Sequence, residues 1–265
     1  MLALLLTLAC ASDTPLESDS AVEADADTDA DSDTDTDADT DADADTDVQV
    51  ALTGVITDLD GDPLTGARVQ LCQESCWFAE TDATGAYTFG DLPVQTYAWE
   101  VVPVGEDWPV ALAPLTLSEG LSVDLAMPRL NTGAAMPETP TEVSPTPGLW
   151  LTISGGELTL PFGADGSMVR GAPIPLEHLP PTEGVSGTIV GGWYLTPFDA
   201  HHDAGGVPFR VDAARLGIGD GTQVEVWFSR YLEADWVRLG PFTVQDGRLE
   251  GTGLSVLSTL LITTP

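Results

Sequence analysis

Aspartate occupies every odd position from 25 to 47, with Ala, Thr or Ser between and no basic residue in the run. A period of two could suggest a strand, but Asp is disfavoured in strands and neither face offers apolar surface to bury. Like charges at every second residue repel, so the segment cannot recover the entropy lost on ordering. Residues 10–48 are therefore expected to form a disordered, extended linker. Fully drawn out at about 3.3 Å per residue, it would reach on the order of 100 Å. The tract lacks the glycine turns and fixed ligand spacing of a loop-type calcium site, so calcium would bind it only weakly and diffusely. Whatever folds in this chain must lie beyond it.

Ahead of the linker, Met1–Ala9 is a short apolar leader that stops at Cys10. It falls well short of the roughly 20 apolar residues that span a bilayer, and it fits the apolar core of a secretory signal. Small Ala9 followed by a lone cysteine resembles the lipobox of bacterial lipoproteins. That resemblance implies a signal peptide over 1–9 and acylation of Cys10 as the mature N-terminus. It also implies a cell-envelope location, with the protein held to the membrane by its N-terminal lipid. Ala11 after the cysteine favours the outer membrane or cell surface. An ordinary cleaved signal with an incidental cysteine is the alternative.

The formal net charge is −35; residues 1–47 carry sixteen acidic and no basic groups, which leaves 27 acidic against 8 basic, or −19, for residues 48–265. Both parts are acidic, so nucleic acid and anionic lipid headgroups are poor partners. If Cys10 is acylated, Cys72 and Cys76 remain, an even count for an oxidising compartment. A disulfide between them is expected to pin a local turn, with free thiols or a metal or redox site as alternatives.

Residues 49–128 read as short strands separated by turns, with no helical period over ten residues. Val50–Thr57 alternates, Asp58-Leu-Asp-Gly-Asp-Pro63 turns, Ala67–Leu71 alternates again, and Asp82-Ala-Thr-Gly85 leads into Ala86–Phe89. Tyr97-Ala-Trp-Glu-Val-Val102 closes the series. This is the spacing of an all-β sandwich. The alternate acids Asp58, Asp60 and Asp62 read as a polar turn, because the twelfth position of a calcium loop would fall on Val69. Gly54–Asp58, Gly61–Val69, Thr81–Phe89, Leu92-Pro93 and Tyr97 together resemble the carboxypeptidase regulatory-like domain, a transthyretin-like sandwich. The resemblance implies a non-catalytic accessory module of secreted and surface proteins.

Residues 129–148 are rich in Pro and Thr and are expected to be an extended spacer. From 149 to 265 strand signals return near Leu149–Ile153, Glu157–Leu160, Ser186–Tyr194, Val207–Val211, Gln223–Phe228, Trp236–Val244 and Ser255–Thr263. Gly219-Asp-Gly221 and Gln245-Asp-Gly247 read as hairpin turns. Trp227, Trp236 and Phe242 sit in alternating strands and are expected core anchors. Leu195–Phe198, Val207–Val211, Leu216–Thr222, Val224–Trp227, Trp236–Gly240 and Phe242–Gly247 resemble the β-sandwich module shared by ankyrins and netrin receptors. That implies a structural or adhesive role and supplies no catalytic residue.

The chain has three histidines, His178, His201 and His202. Adjacent residues on a strand point to opposite faces, so His201 and His202 could share a metal only if a loop bent them together. No Gly-x-Ser-x-Gly, phosphate loop or dinucleotide fingerprint occurs. The expectation is an all-β protein, two tandem sandwiches behind a disordered acidic linker. It is read as a non-enzymatic envelope lipoprotein with a structural, adhesive, or glycan- or protein-binding role and no cofactor. The rival reading is a weak zinc-dependent hydrolase, or an accessory module of one, using His178, His201 and His202.

Overall fold

A computed structural model describes residues 49–202 and 205–265. The expected signal peptide, the acidic linker and the lipid attachment at Cys10 lie outside these residues. The described part is built of strands, with three short 3-10 turns between them.

The first sandwich contains β1 (Gln49–Asp58), β2 (Arg68–Cys72), β3 (Cys76–Glu80), β4 (Ala86–Pro93), β5 (Gln95–Val102), β6 (Ala111–Leu117), β7 (Leu121–Ser122) and β8 (Leu125–Met127). One sheet runs β4-β1-β7, with β8 also paired to β1, and the other runs β3-β2-β5-β6. In β1 the period of two is literal: Val50, Leu52 and Ile56 are buried while Ala51 and Thr53 are exposed. Their partners across the core include Val69, Leu71, Tyr97, Trp99 and Val101. The returning chain crosses so near Gly54 that a Cβ there would stand 1.9 Å from the Val123 carbonyl oxygen. Only glycine admits that approach. The Tyr87 hydroxyl donates to the same carbonyl at 2.9 Å. At the 58–63 turn, Asp58 Oδ1 accepts the amides of Asp60 and Asp62, each at 2.9 Å, so its carboxylate closes the turn.

The second sandwich contains β9 (Ala134–Ala135), β10 (Thr141–Thr146), β11 (Leu149–Ile153), β12 (Leu158–Thr159), β13 (Met168–Pro173), β14 (Thr188–Thr196) and β15 (Ala200–His202). It continues with β16 (Val207–Asp212), β17 (Gln223–Arg230), β18 (Asp235–Thr243), β19 (Arg248–Leu254), β20 (Val256–Leu257) and β21 (Thr259–Thr264). A sheet β10-β11-β16-β19 faces a six-stranded sheet β18-β17-β21-β14-β13-β9, and β12-β15-β20 forms a third, small sheet. Between the two larger sheets lie Leu149, Leu151, Phe209, Val224, Val226, Phe228, Leu260 and Ile262. The tight link from β18 to β19 is the expected turn. Asp246 and Gly247 take φ values of 50° and 70°, the left-handed pair that a type I′ hairpin requires.

The structure corrects the spacer reading of 129–148. β10 pairs with β11, and β9 pairs with β13. Proline richness hid these strands. Pro145 falls within β10, but β10 is an edge strand and its pairing shifts register between Val143 and Thr146. An edge bulge is where a strand can tolerate a residue with no amide hydrogen.

The two sandwiches belong to a single compact unit. The outer face of the six-stranded sheet carries Tyr194, Trp227, Trp236 and Leu261, buried in one continuous cluster with the core of the first sandwich. The edge strand β6 lies against this face, and its Leu112 amide donates to Thr259 Oγ1 at 3.0 Å. Trp227 and Trp236 are thus buried as expected, but they hold one sandwich against the other. Phe242 does serve the second core, meeting Phe209 edge to face at 5.5 Å.

Candidate functional site

The histidines do not assemble. His178 ends the 3-10 turn Leu176–His178, whereas His201 and His202 lie on β15, where they pair with Thr159 and Leu158 of β12. His201 Nε2 sits 3.3 Å from Asp199 Oδ1, and His202 Nε2 sits 4.0 Å from Glu157 Oε2. Among the described residues no three His, Cys, Asp or Glu side chains converge as a metal would need. The described residues therefore do not bring His178, His201 and His202 together as a zinc centre. Neighbours on a strand diverge, and the third histidine belongs to another element.

Cys72 ends β2 and Cys76 begins β3, so the hairpin sets them directly opposite each other. Their sulfurs are bonded. The disulfide is also part of a polar chain that crosses from one sandwich to the other. The Tyr231 hydroxyl, just after β17, donates to Cys72 Sγ at 2.8 Å. It accepts from Gln70 Nε2 at 3.2 Å, and Gln70 Nε2 also donates to Glu100 Oε2.

Glu100 stands out chemically. It lies on β5 between Trp99 and Val101, in a strand whose central residues are all buried, and only 5% of it is exposed. Burial pushes its carboxyl up to about 7, against smaller opposing effects of the Gln70 hydrogen bond and the Arg68 charge; Asp199 adds to the rise. Asp199 is raised too, chiefly by burial, while His201 pulls it down and Glu233 pushes it up.

These groups line a cleft of roughly 470 Å³ where the sandwiches meet. Glu100 and Asp199 supply carboxylates and Arg68 a guanidinium, while Phe162, Phe198 and Tyr231 supply aromatic surface. Phe162 is fully exposed, on the loop between β12 and β13. Sequence reasoning did not single out this site. The available signal was a lone glutamate inside the otherwise apolar-rich run Tyr97–Val102, but its neighbours come from four distant segments, Arg68, the 161–164 loop, Phe198-Asp199 and Tyr231.

Residues 51–127 match the carboxypeptidase regulatory-like domain family. The match spans the first sandwich. No curated protein matches the chain. Among solved structures, a DUF3823 family protein from Parabacteroides merdae is 10% identical, with 82% of this chain and 80% of that one covered and a TM-score of 0.26. The major pilin SpaD of Corynebacterium diphtheriae is 12% identical, with 81% and 55% covered and a TM-score of 0.29. The major pilin subunit BcpA of Bacillus cereus is 9% identical over 78% and 86%, with a TM-score of 0.28. Likenesses this distant transfer no role.

Proposed function

We propose that the protein is an envelope-anchored, non-enzymatic lipoprotein whose fused sandwiches act as a rigid binding or adhesive head. The acidic linker would hold this head clear of the membrane to which the Cys10 lipid ties it. The observation that carries the reading is the junction of the two sandwiches. Buried Tyr194, Trp227 and Trp236 pack against the first core, and a polar chain runs from Glu100 to the disulfide. Such a junction fixes the relative orientation of the two modules, which suits a display head whose contacts must keep their spacing. The regulatory-like match over 51–127 favours an accessory rather than a catalytic role. The Cys72–Cys76 bond favours an oxidising compartment, since structural disulfides are rare in the cytosol. The partner would be an envelope protein or glycan.

The test of the anchor is Cys10→Ala in the native host, read by fractionation and by fatty-acid labelling. The variant should lose its label and leave the membrane fraction. Membrane association that survives the substitution would reject the lipid tether.

A further inference from the structure

We propose that the cleft between the two sandwiches binds a primary alkylammonium group, such as a lysine side chain or a small diamine carries.

The first ground is a carboxylate oxygen of Glu100 with no protein donor among the described residues. Glu100 is more than nine-tenths buried and lines the cleft. Its Oε2 is taken by Gln70, and among the described residues nothing donates to Oε1. That oxygen is not among the sealed, unpartnered atoms of the described residues, so a donor entering the cleft can reach it. Asp199 provides a second carboxylate in the same cleft, held at a φ of 55° that is uncommon for any residue but glycine. The second ground is the walls. Phe162, Phe198 and Tyr231 present ring surface, which attracts a cation while accommodating its aliphatic arm. Phe162, wholly in solvent, becomes covered when the cleft is filled. A bare metal ion does not fit, because no third ligand of the right type converges here among the described residues. An organic cation needs only the two carboxylates and the rings.

Exposed Arg68, which also lines the cleft, makes no ion pair with a carboxylate among the described residues and repels the proposed ligand. It separates this proposal from its opposite: were the ligand an anion, Arg68 would be the anchor. The charged and titratable groups that face Glu100 are Arg68 from β2, Asp199 from the loop before β15, and Tyr231 from the loop after β17. His201 and Glu233 act on Asp199 in turn. Because Glu100 holds its proton up to about 7, a bound ammonium must displace that proton, so affinity rises with pH and binding releases acid.

This site deepens the binding role proposed above and rests on it, while the Cys10→Ala fractionation tests the anchor separately. Calorimetric titration of the purified full chain with n-butylammonium, with neutral n-butanol as the control, tests the site directly. Binding should be about tenfold tighter at about pH 8 than at about pH 6, following the ionised fraction of Glu100. Buffers of different ionisation enthalpy should report the released proton. Glu100→Gln should cost about tenfold or more, as expected for a hydrogen bond to a charge, and should flatten the pH dependence. Phe162→Ala, at a fully exposed side chain, should cost about two- to fivefold. Arg68→Ala should leave binding equal or tighter. Nα-acetyl-lysine methylamide, whose ε-ammonium is free, and cadaverine then distinguish a side-chain ligand from a free diamine, and preference for either supports the site. No preference for n-butylammonium over n-butanol, unchanged affinity in Glu100→Gln, or loss of binding in Arg68→Ala would overturn the proposal.

Discussion

Replacing Glu100 by Gln should make the protein more stable at alkaline pH and leave it nearly unchanged in acid. The amide keeps an oxygen for the Gln70 hydrogen bond and removes the charge. Wild-type Glu100 carries a carboxyl raised by burial from 4.5 to about 7. Below the lower value it is protonated in both folded and unfolded chains, so it contributes no pH dependence. Between the two values the unfolded chain gives up its proton first, and folding stability falls as pH rises. Above the upper value the full penalty is in force, at most about 3 kcal/mol from 1.36 kcal/mol per pKa unit. For a unit of this size, about 2–4 °C per kcal/mol predicts a melting temperature up to about 6–12 °C higher for Glu100→Gln at pH 8. Paired thermal melts from about pH 4 to about pH 8 check this, and the gap between variants should open with pH. A gap that stays constant across that range, or a variant that melts lower at pH 8, would refute burial as the cause of the shift.

Other substitutions probe the remaining supports. Gly54→Ala drives a Cβ into the Val123 carbonyl oxygen; as a backbone clash in a packed core it should cost about 3 kcal/mol or more in chemical denaturation. Tyr194→Phe removes a fully buried hydroxyl that has no hydrogen-bond partner among the described residues, so it should stabilise by about 1 kcal/mol, where loss of a satisfied hydroxyl would destabilise. The double change Cys72→Ser with Cys76→Ser opens a small loop and should cost about 2 kcal/mol on the chain-entropy account, measured by denaturant midpoint with and without reductant. Its effect should exceed that of Tyr231→Phe, which removes only the hydroxyl contact to Cys72.

The relation of sequence to structure differs between the two sandwiches. In the first, alternation and turn chemistry are strong enough to read directly. Val50, Leu52 and Ile56 face one way, and Asp58 and Asp82 each accept amides that close their turns. The cross-strand pairing of Cys72 with Cys76 follows from a hairpin only four residues long in sequence separation. In the second, the strands around Trp227 and Trp236 were legible, but β9 and β10 were not. Their prolines look like spacer until the edge position and bulge are known. The candidate site was harder still, because Arg68, Glu100, Phe162, Asp199 and Tyr231 come from separate strands and loops.

Local pattern determined that this chain makes strands, where its tight turns fall, and that a long acidic tract precedes the folded part. A period of two says which side chains share a face, since that depends only on backbone geometry. It cannot say what covers that face. Tertiary structure alone decided that Trp227 and Trp236 would meet the other sandwich, that Glu100 would be buried, and that a cleft would form beside it. Those outcomes depend on how two already formed sheets dock, through contacts between residues far apart in the chain.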